Sequence, residues 1–180
     1  MKKISDIHAI KIIFFITACY VGLWAIRIPT IKDQLQTDYV GVGYIMLSFA
    51  IGSIVAMIFA NALILKTSTK SILTFTLIAE GCLWLPVPFI QELWLFMVFS
   101  FVFGMSYGAF EIACNVYASN LEVREKKSMM SGFHAFWSLG VLFGSLITSF
   151  LLEWNYSFIF NILLYAVSYT HLTLPTKEGV

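Results

Sequence analysis

The stretch Gly108-Ala-Phe-Glu-Ile-Ala-Cys-Asn115 places a carboxyl group, Glu111, inside an apolar run over residues 93–118 that contains no Lys or Arg. Read as a helix at about 100° per residue, the run puts small and polar side chains on one arc, namely Gly104, Tyr107, Gly108, Glu111, Asn115 and Ala118. Small residues allow a second helix to approach closely. An ionisable group inside a membrane is costly unless it is neutral, paired or hydrated, so Glu111 is the first candidate for a functional residue.

The composition is that of a membrane protein. The chain has 180 residues, of which 59% are hydrophobic and 12% are charged, and this balance excludes an ordinary soluble domain. The net charge of +1 gives no reason to expect a nucleic-acid partner. Three cysteines lie in apolar runs without Cys-x-x-Cys spacing and are interpreted as small apolar fillers, not as disulfides or metal ligands: Cys19, Cys82 and Cys114. No cofactor is expected.

Apolar runs separated by short polar breaks predict an all-α, polytopic membrane protein. The expected helices cover about residues 10–28, 40–65, 72–90, 93–118, 134–152 and 156–166, and most approach the ~20 residues needed to cross a bilayer. Pro29 is interpreted as the terminator of the first helix. The N-terminal run is followed by no small-residue cleavage site, so it is predicted to be a retained helix and not a signal peptide.

The sixth run is cut short. Residues 167–172 read Val-Ser-Tyr-Thr-His-Leu, which looks like one reading frame of a transposon end used in sequencing-library preparation. We therefore interpret residues 167–180 as adapter read-through and residues 1–166 as the native domain. The native protein is expected to continue with further helices.

The distribution of basic residues predicts the orientation in the membrane. With the N-terminus in the cytoplasm, Arg27 and Lys32 lie toward the outer side. Eight basic residues then face the cytoplasm: Lys2, Lys3, Lys11, Lys66, Lys70, Arg124, Lys126 and Lys127. Cytoplasmic loops carry the excess of Lys and Arg, so this orientation is favoured.

Three residues of the first helix are candidates for binding a solute. Tyr20 and Trp24 are four residues apart and share a helix face, and Arg27 follows three residues later. Aromatic rings beside a cation can stack on a sugar or hold a carboxylate. The alternative is an interfacial aromatic belt with an Arg whose charged end reaches the membrane surface.

Two further features lie in the third and fifth helices. Glu80 is a second intramembrane acid, either a functional group or a protonated side chain that bonds to a neighbouring helix. In the fifth helix, Gly140 and Gly144 form a Gly-x-x-x-Gly pattern on one face with Trp137 and Thr148, which predicts close helix packing.

The helix pattern resembles the N-terminal half of a major facilitator superfamily transporter. Trp24-Ala-Ile-Arg-Ile-Pro-Thr-Ile-Lys32 is similar to the first-helix signature of a bacterial branch related to sugar permeases. Glu111-Ile-Ala-Cys-Asn115 and Ser131-Gly-Phe-His-Ala-Phe-Trp-Ser-Leu-Gly140 resemble the signatures of helices four and five in fucose–proton symporters. The resemblance implies that Glu111 is the proton-coupling carboxylate and that Asn115 lines the cavity. It also implies a bacterial inner membrane and a missing C-terminal half.

The chain departs from these patterns at identifiable positions. Ala25 stands where the fucose symporters carry an Asp, and Leu65 stands where the superfamily's loop after helix two carries one. No Gly-Pro dipeptide follows Gly144, which disfavours the drug-antiporter signature of helix five.

The resemblance and the intramembrane acids together predict a proton-coupled transporter of a small solute, a sugar or a related polar metabolite. The residues expected to bind the solute are Asn115, Tyr107, Tyr20, Trp24 and Arg27. Two alternatives stay open, namely efflux of an apolar compound and a non-transporting membrane sensor or scaffold. An enzyme is not expected, because the chain contains neither His-Glu-x-x-His nor Gly-x-Ser-x-Gly.

Overall fold

The computed structural model describes residues 6–170, apart from the side chains of residues 61 and 167–170. Within this range the protein is all-α, as predicted, and a short 3-10 turn at Val87–Phe89 precedes the fourth helix. The six helices are α1 (Asp6–Gln34), α2 (Tyr39–Lys66), α3 (Thr69–Trp84), α4 (Leu93–Glu125), α5 (Met130–Glu153) and α6 (Phe158–Thr170). The predictions for Lys2, Lys3 and residues 171–180 lie outside the described residues.

Five of these helical segments are long and apolar enough to cross a membrane. They are Asp6–Gln34, Tyr39–Ala60, Thr69–Phe89, Leu93–Glu125 and Met130–Glu153. The described part of α6 has 13 residues and is shorter than the ~20 residues of a full span.

The first helix does not end before Pro29 as predicted, because Pro29 lies inside α1, which continues to Gln34. A proline in a helix removes one backbone donor and crowds the preceding turn, but neighbouring contacts can compensate. Here the Gln34 side-chain amide donates to the carbonyl oxygens of Val87, at 2.9 Å, and Ile90, at 2.6 Å. Ile31 is buried in the same turn. These contacts hold the extra turn of α1 in place.

The fourth helix extends one to two turns beyond the apolar run from which it was predicted. With 33 residues, α4 is about 50 Å long, so it projects beyond the ~30 Å hydrocarbon core. Leu121 keeps the extension packed, since it is 3% exposed. The Glu122 carboxylate accepts hydrogen bonds from the backbone N–H groups of Met129 and Met130, the latter at 2.7 Å. Helix α5 therefore begins at Met130, four residues earlier than predicted.

Helices α2 and α4 are in backbone contact at three glycines. A Cβ added at Gly108 would lie 2.9 Å from the Cα of Ser53, and one at Gly104 would lie 3.1 Å from the Cα of Phe49. The third position, Gly52 of α2, meets the backbone of Phe101 in the same way. Real Cβ atoms do not tolerate such distances to backbone, so this pair of helices depends on the absence of side chains.

Helices α1 and α5 form a second pair of the same kind. A Cβ at Gly140 would lie 2.8 Å from the Cβ of Ala18, and one at Gly144 would lie 2.7 Å from the Cα of Cys19. From the other side, Gly22 of α1 lies against the backbone of α5, where an added Cβ would be 3.0 Å from the carbonyl carbon of Gly144. The bundle is thus built from two close pairs, and α3 packs against α4 and α6.

The outer surface of the bundle is apolar. Large hydrophobic side chains of α2 and α5 are exposed, among them Ile54 (58%), Ile58 (68%) and Leu142 (53%). A surface of this kind suits the hydrocarbon of a bilayer, where apolar side chains need no burial against protein. One end of the bundle carries an exposed ion pair, in which Arg124 of α4 meets Asp6 of α1 at 2.7 Å.

Candidate functional site

A cavity of about 360 Å³ lies between α1, α2, α3 and α4. Its wall is mostly apolar, and Thr17, Ser100 and Glu80 contribute polar groups. Eight aromatic side chains line it: Tyr20, Trp24, Phe49, Trp84, Phe96, Phe99, Phe103 and Tyr107. A mostly apolar cavity with a few polar groups is the usual form of a site for a small organic molecule.

Three of the residues predicted to bind a solute lie together in this wall. Tyr20 and Trp24 reach the cavity from α1, and Tyr107 reaches it from α4. Trp84 of α3 stands between the α1 rings, with its ring centroid 5.1 Å from that of Tyr20 and 6.1 Å from that of Trp24. The sequence pattern placed Tyr20 and Trp24 on one helix face, but it gave no sign that Trp84 lies between them.

The acid in the cavity wall is Glu80. It is 3% exposed and lies one turn before Trp84 in α3. The indole Nε1 of Trp84 is buried and has no hydrogen-bond partner among the described residues. From the sequence, Glu80 could be either a functional group or a purely structural one. The structure places it in the cavity wall, where a bound molecule would touch it.

Glu111 forms a separate polar group on α4, outside the cavity wall. The Asn115 side-chain amide donates to Oε1 of Glu111 at 3.1 Å and to the Glu111 backbone carbonyl at 2.8 Å. Tyr107 lies near the Glu111 side chain, one turn earlier on α4. Both Glu111 and Asn115 are half-buried.

Tyr107 connects the two acids. It lines the cavity and lies within electrostatic range of both Glu111 and Glu80. Cys114 is likewise near both carboxyl groups and is 2% exposed. The cavity and the Glu111 group are therefore neighbours along α4 and not two distant sites.

Arg27 was predicted to bind a solute, but the structure places it against α6 and not in the cavity wall. It is 3% exposed, and its Nε donates to Oδ1 of Asn161 at 3.0 Å. Its Nη2 donates to the backbone carbonyl of Tyr156 at 3.3 Å, and its guanidinium carbon lies 5.2 Å from the centroid of the Phe158 ring. These contacts use the Arg27 guanidinium to hold α1 against α6.

The polar contacts of Arg27 continue into α5. Asn161 also approaches Thr148, at 3.5 Å, and the Tyr165 hydroxyl donates to the Gly144 carbonyl at 2.9 Å. Asn161 and Tyr165 were not predicted from the sequence. An amide inside an apolar run is itself a signal of a buried polar contact, so Asn161 could have been found.

The described residues hold no cluster of three or more His, Cys, Asp or Glu side chains that could bind a metal ion. Cys19 and Cys114 are free and buried, and Cys82 is free and exposed.

The apolar spans, the aromatic cavity and the acids within the spans define a polytopic membrane protein with an internal cavity. The chain belongs to the Major Facilitator Superfamily, since the model of that family matches residues 12–179. The resemblance seen in the sequence is thereby confirmed for the superfamily, while the sugar-permease and fucose-symporter branch stays a prediction.

Two curated relatives carry transporter names. An uncharacterised MFS-type transporter of Yersinia pestis is 30% identical over 143 residues, which cover 79% of this chain and 37% of the relative. An uncharacterised transporter of Sinorhizobium fredii is 25% identical over 141 residues, covering 73% of this chain and 35% of the relative. The chain thus spans little more than a third of these relatives. No solved structure matches it.

Proposed function

We propose that the full-length protein is a proton-coupled secondary transporter of a small organic solute and that this chain is its N-terminal half. Family membership and the names of the relatives support transport. The distribution of Lys and Arg favours a cytoplasmic N-terminus, and both relatives come from bacteria, so the proposed location is a bacterial inner membrane.

The observation that carries proton coupling is the environment of Glu111. Its carboxyl group is half-buried within an apolar helix, and none of the ion pairs among the described residues involves it. The Asn115 side-chain amide donates a hydrogen bond to Oε1 of Glu111, and Tyr107 lies one turn earlier on the same helix. A carboxyl group inside a membrane protein, with no cation paired to it among the described residues, is the kind of group that can carry a proton from one side of the membrane to the other.

In this proposal the solute occupies the cavity beside Tyr107. Transporters of this general design bind their solute near the middle of the membrane and expose it to each side in turn. Tyr107 lines the cavity and lies near Glu111, so in this proposal a change in the protonation of Glu111 is transmitted to the wall that holds the solute. A sugar or related polar metabolite is the solute that the sequence resemblance implies, with Tyr20 and Trp24 as stacking faces.

Efflux of an apolar compound is the second candidate. The observation that favours it is the cavity wall, in which aromatic and aliphatic side chains greatly outnumber polar groups. The two candidates differ in the direction of net movement in a proton gradient.

The test uses full-length protein in proteoliposomes that contain a pH-sensitive dye. A panel of sugars and organic amines is first screened for solute-induced proton movement, and the active solute is then used for two assays. We expect Glu111→Gln to abolish accumulation driven by a proton gradient while exchange of labelled solute persists, because the variant keeps the shape but carries no exchangeable charge.

Glu153→Gln is the matched control, since Glu153 lies exposed at the end of α5, and it should accumulate solute normally. Normal accumulation by Glu111→Gln would show that Glu111 is only a structural acid. Absence of any solute-induced proton movement by the wild type would favour a sensor or scaffold.

A further inference from the structure

We infer that the cavity between α1 and α4 binds an organic cation with an apolar body, and that Glu80 is its counter-charge. The inference replaces the sugar that the sequence resemblance implies with a different solute class for the same cavity, and it rests on the proposed transport function only in treating the bound cation as a transported solute. The three observations that carry it are the ring arrangement, the single acid in the described wall and the small polar share of that wall.

The rings surround the cavity at different inclinations. Trp84 is inclined by 37° to Tyr20, by 65° to Trp24 and by 78° to Phe103, with the Trp84 and Phe103 centroids 5.4 Å apart. A wall of this kind presents both faces and edges of aromatic rings. The face of a ring attracts a cation, most strongly when the site excludes water, and aromatic cages of this design bind quaternary ammonium groups.

Glu80 supplies the charge that an aromatic wall alone lacks. It is the acidic residue among those that line the cavity, and no Lys, Arg or His shares the described wall with it. A carboxylate in a largely apolar wall repels an anion and attracts a cation more strongly than it would in water. The wall therefore selects for a positive charge.

The remaining polar groups do not suit a sugar. The Thr17 hydroxyl already donates to the Ile13 carbonyl, at 2.7 Å. The Trp84 indole N–H is a buried donor of the described wall that has no hydrogen-bond partner among the described residues. A sugar carries many hydroxyl groups that must all find partners when they leave water. A cation with an apolar body leaves few polar groups to satisfy, and an ether or carbonyl oxygen near its charge can accept from Trp84.

The experiment measures binding to the chain itself, reconstituted in nanodiscs of zwitterionic lipid, without a proton gradient. The probes are trimethylphenylammonium, its neutral isostere tert-butylbenzene, and fucose. Quenching of tryptophan fluorescence is the readout, because Trp24 and Trp84 line the cavity. We expect the cation to bind saturably and at least about tenfold more tightly than the neutral isostere, and fucose not to compete.

Substitutions then test whether Glu80 is the counter-charge of the bound cation. Glu80→Gln should weaken binding of the cation about tenfold or more and leave binding of tert-butylbenzene unchanged, whereas the exposed control Glu153→Gln should bind both as the wild type does. Equal affinity of the wild type for cation and isostere would overturn the inference, even if Glu80→Gln fails to fold. Binding of fucose that displaces the cation would overturn it as well.

A failure here is distinguishable from a failure of the proposed function. Binding is measured at equilibrium and does not require Glu111 to move a proton. Proton-coupled transport of a sugar by the full-length protein would leave the proposed function intact and would refute only the inference that the cavity binds an organic cation.

Discussion

The Nε atom of Arg27 lies 3.0 Å from Oδ1 of Asn161 and donates a hydrogen bond to it, which joins the first helix of the bundle to the sixth. Both side chains are almost completely buried, Arg27 at 3% exposed and Asn161 at 0%. A buried guanidinium is stable only when its donors are occupied, so α6 supplies part of the environment that α1 requires.

We expect Arg27→Met to destabilise the bundle by about 1–3 kcal/mol, because it removes a charge-assisted hydrogen bond and leaves the Asn161 carbonyl without its donor. Thermal unfolding of detergent-solubilised protein measures the loss. Arg124→Met is the matched control, since that arginine forms an exposed ion pair with Asp6 and should change stability by less than about 1 kcal/mol. Equal melting temperatures for wild type and Arg27→Met would contradict the assigned role.

A methyl group at Gly108 should separate α2 from α4. The added Cβ would lie 2.9 Å from both the Cα and the carbonyl carbon of Ser53, and neither backbone atom can rotate away. We expect Gly108→Ala to lower the yield of monodisperse protein and its melting temperature. Gly132→Ala makes the same change where no atom lies within 4 Å and should leave both unaffected or improved. Similar behaviour of the two variants would show that the close approach is not needed.

The orientation can be tested with an impermeant thiol reagent. The positions are Glu125, exposed at the end of α4, and Gln91, exposed between α3 and α4. In a background without Cys19, Cys82 and Cys114, we expect whole cells to be labelled at Gln91→Cys but not at Glu125→Cys, because the excess of basic residues lies on the cytoplasmic side. Broken cells should be labelled at both positions, and the reverse pattern in whole cells would invert the proposed topology.

We expect residues 1–180 alone to accumulate no solute in liposomes, although they can bind one. The chain covers about a third of the relatives it matches, and secondary transporters move solute between two repeat halves. The full-length protein, reconstituted in parallel, is the positive control. Gradient-dependent accumulation by the chain alone would show that the second half is dispensable.

The number and approximate position of the helices could be predicted from the sequence, because apolar runs of bilayer length leave no other structure open to the backbone. Helix ends were less predictable. Pro29 suggested a terminator, yet Gln34 binds two carbonyl groups beyond α3 and keeps the helix intact. Glu122 likewise sets the start of α5 through contacts that no periodicity shows.

The composition of the cavity could not be predicted, for a reason particular to membranes. Exposed Ile54 and Leu142 are as apolar as the core, so hydrophobic periodicity does not show which face of a helix meets its neighbours. Glu80 was left open between a functional and a structural role, because nothing in the sequence of α3 indicated that it lies in the same cavity wall as Tyr20 and Trp24. Arg27 was predicted to bind a solute because its hydrogen-bond partner Asn161 lies far along the chain and could not be inferred from the sequence around Arg27.

The glycine contacts have a consequence for biosynthesis. Gly140 and Gly144 bind α1 to α5, and Gly104 and Gly108 bind α2 to α4, so neither close pair joins consecutive helices. At the usual rate of chain synthesis, α5 is completed roughly ten seconds after α1. During that interval its surface at Gly22 has only lipid or the insertion machinery against it. The order in which helices leave the translocon therefore differs from the order in which they find their permanent neighbours.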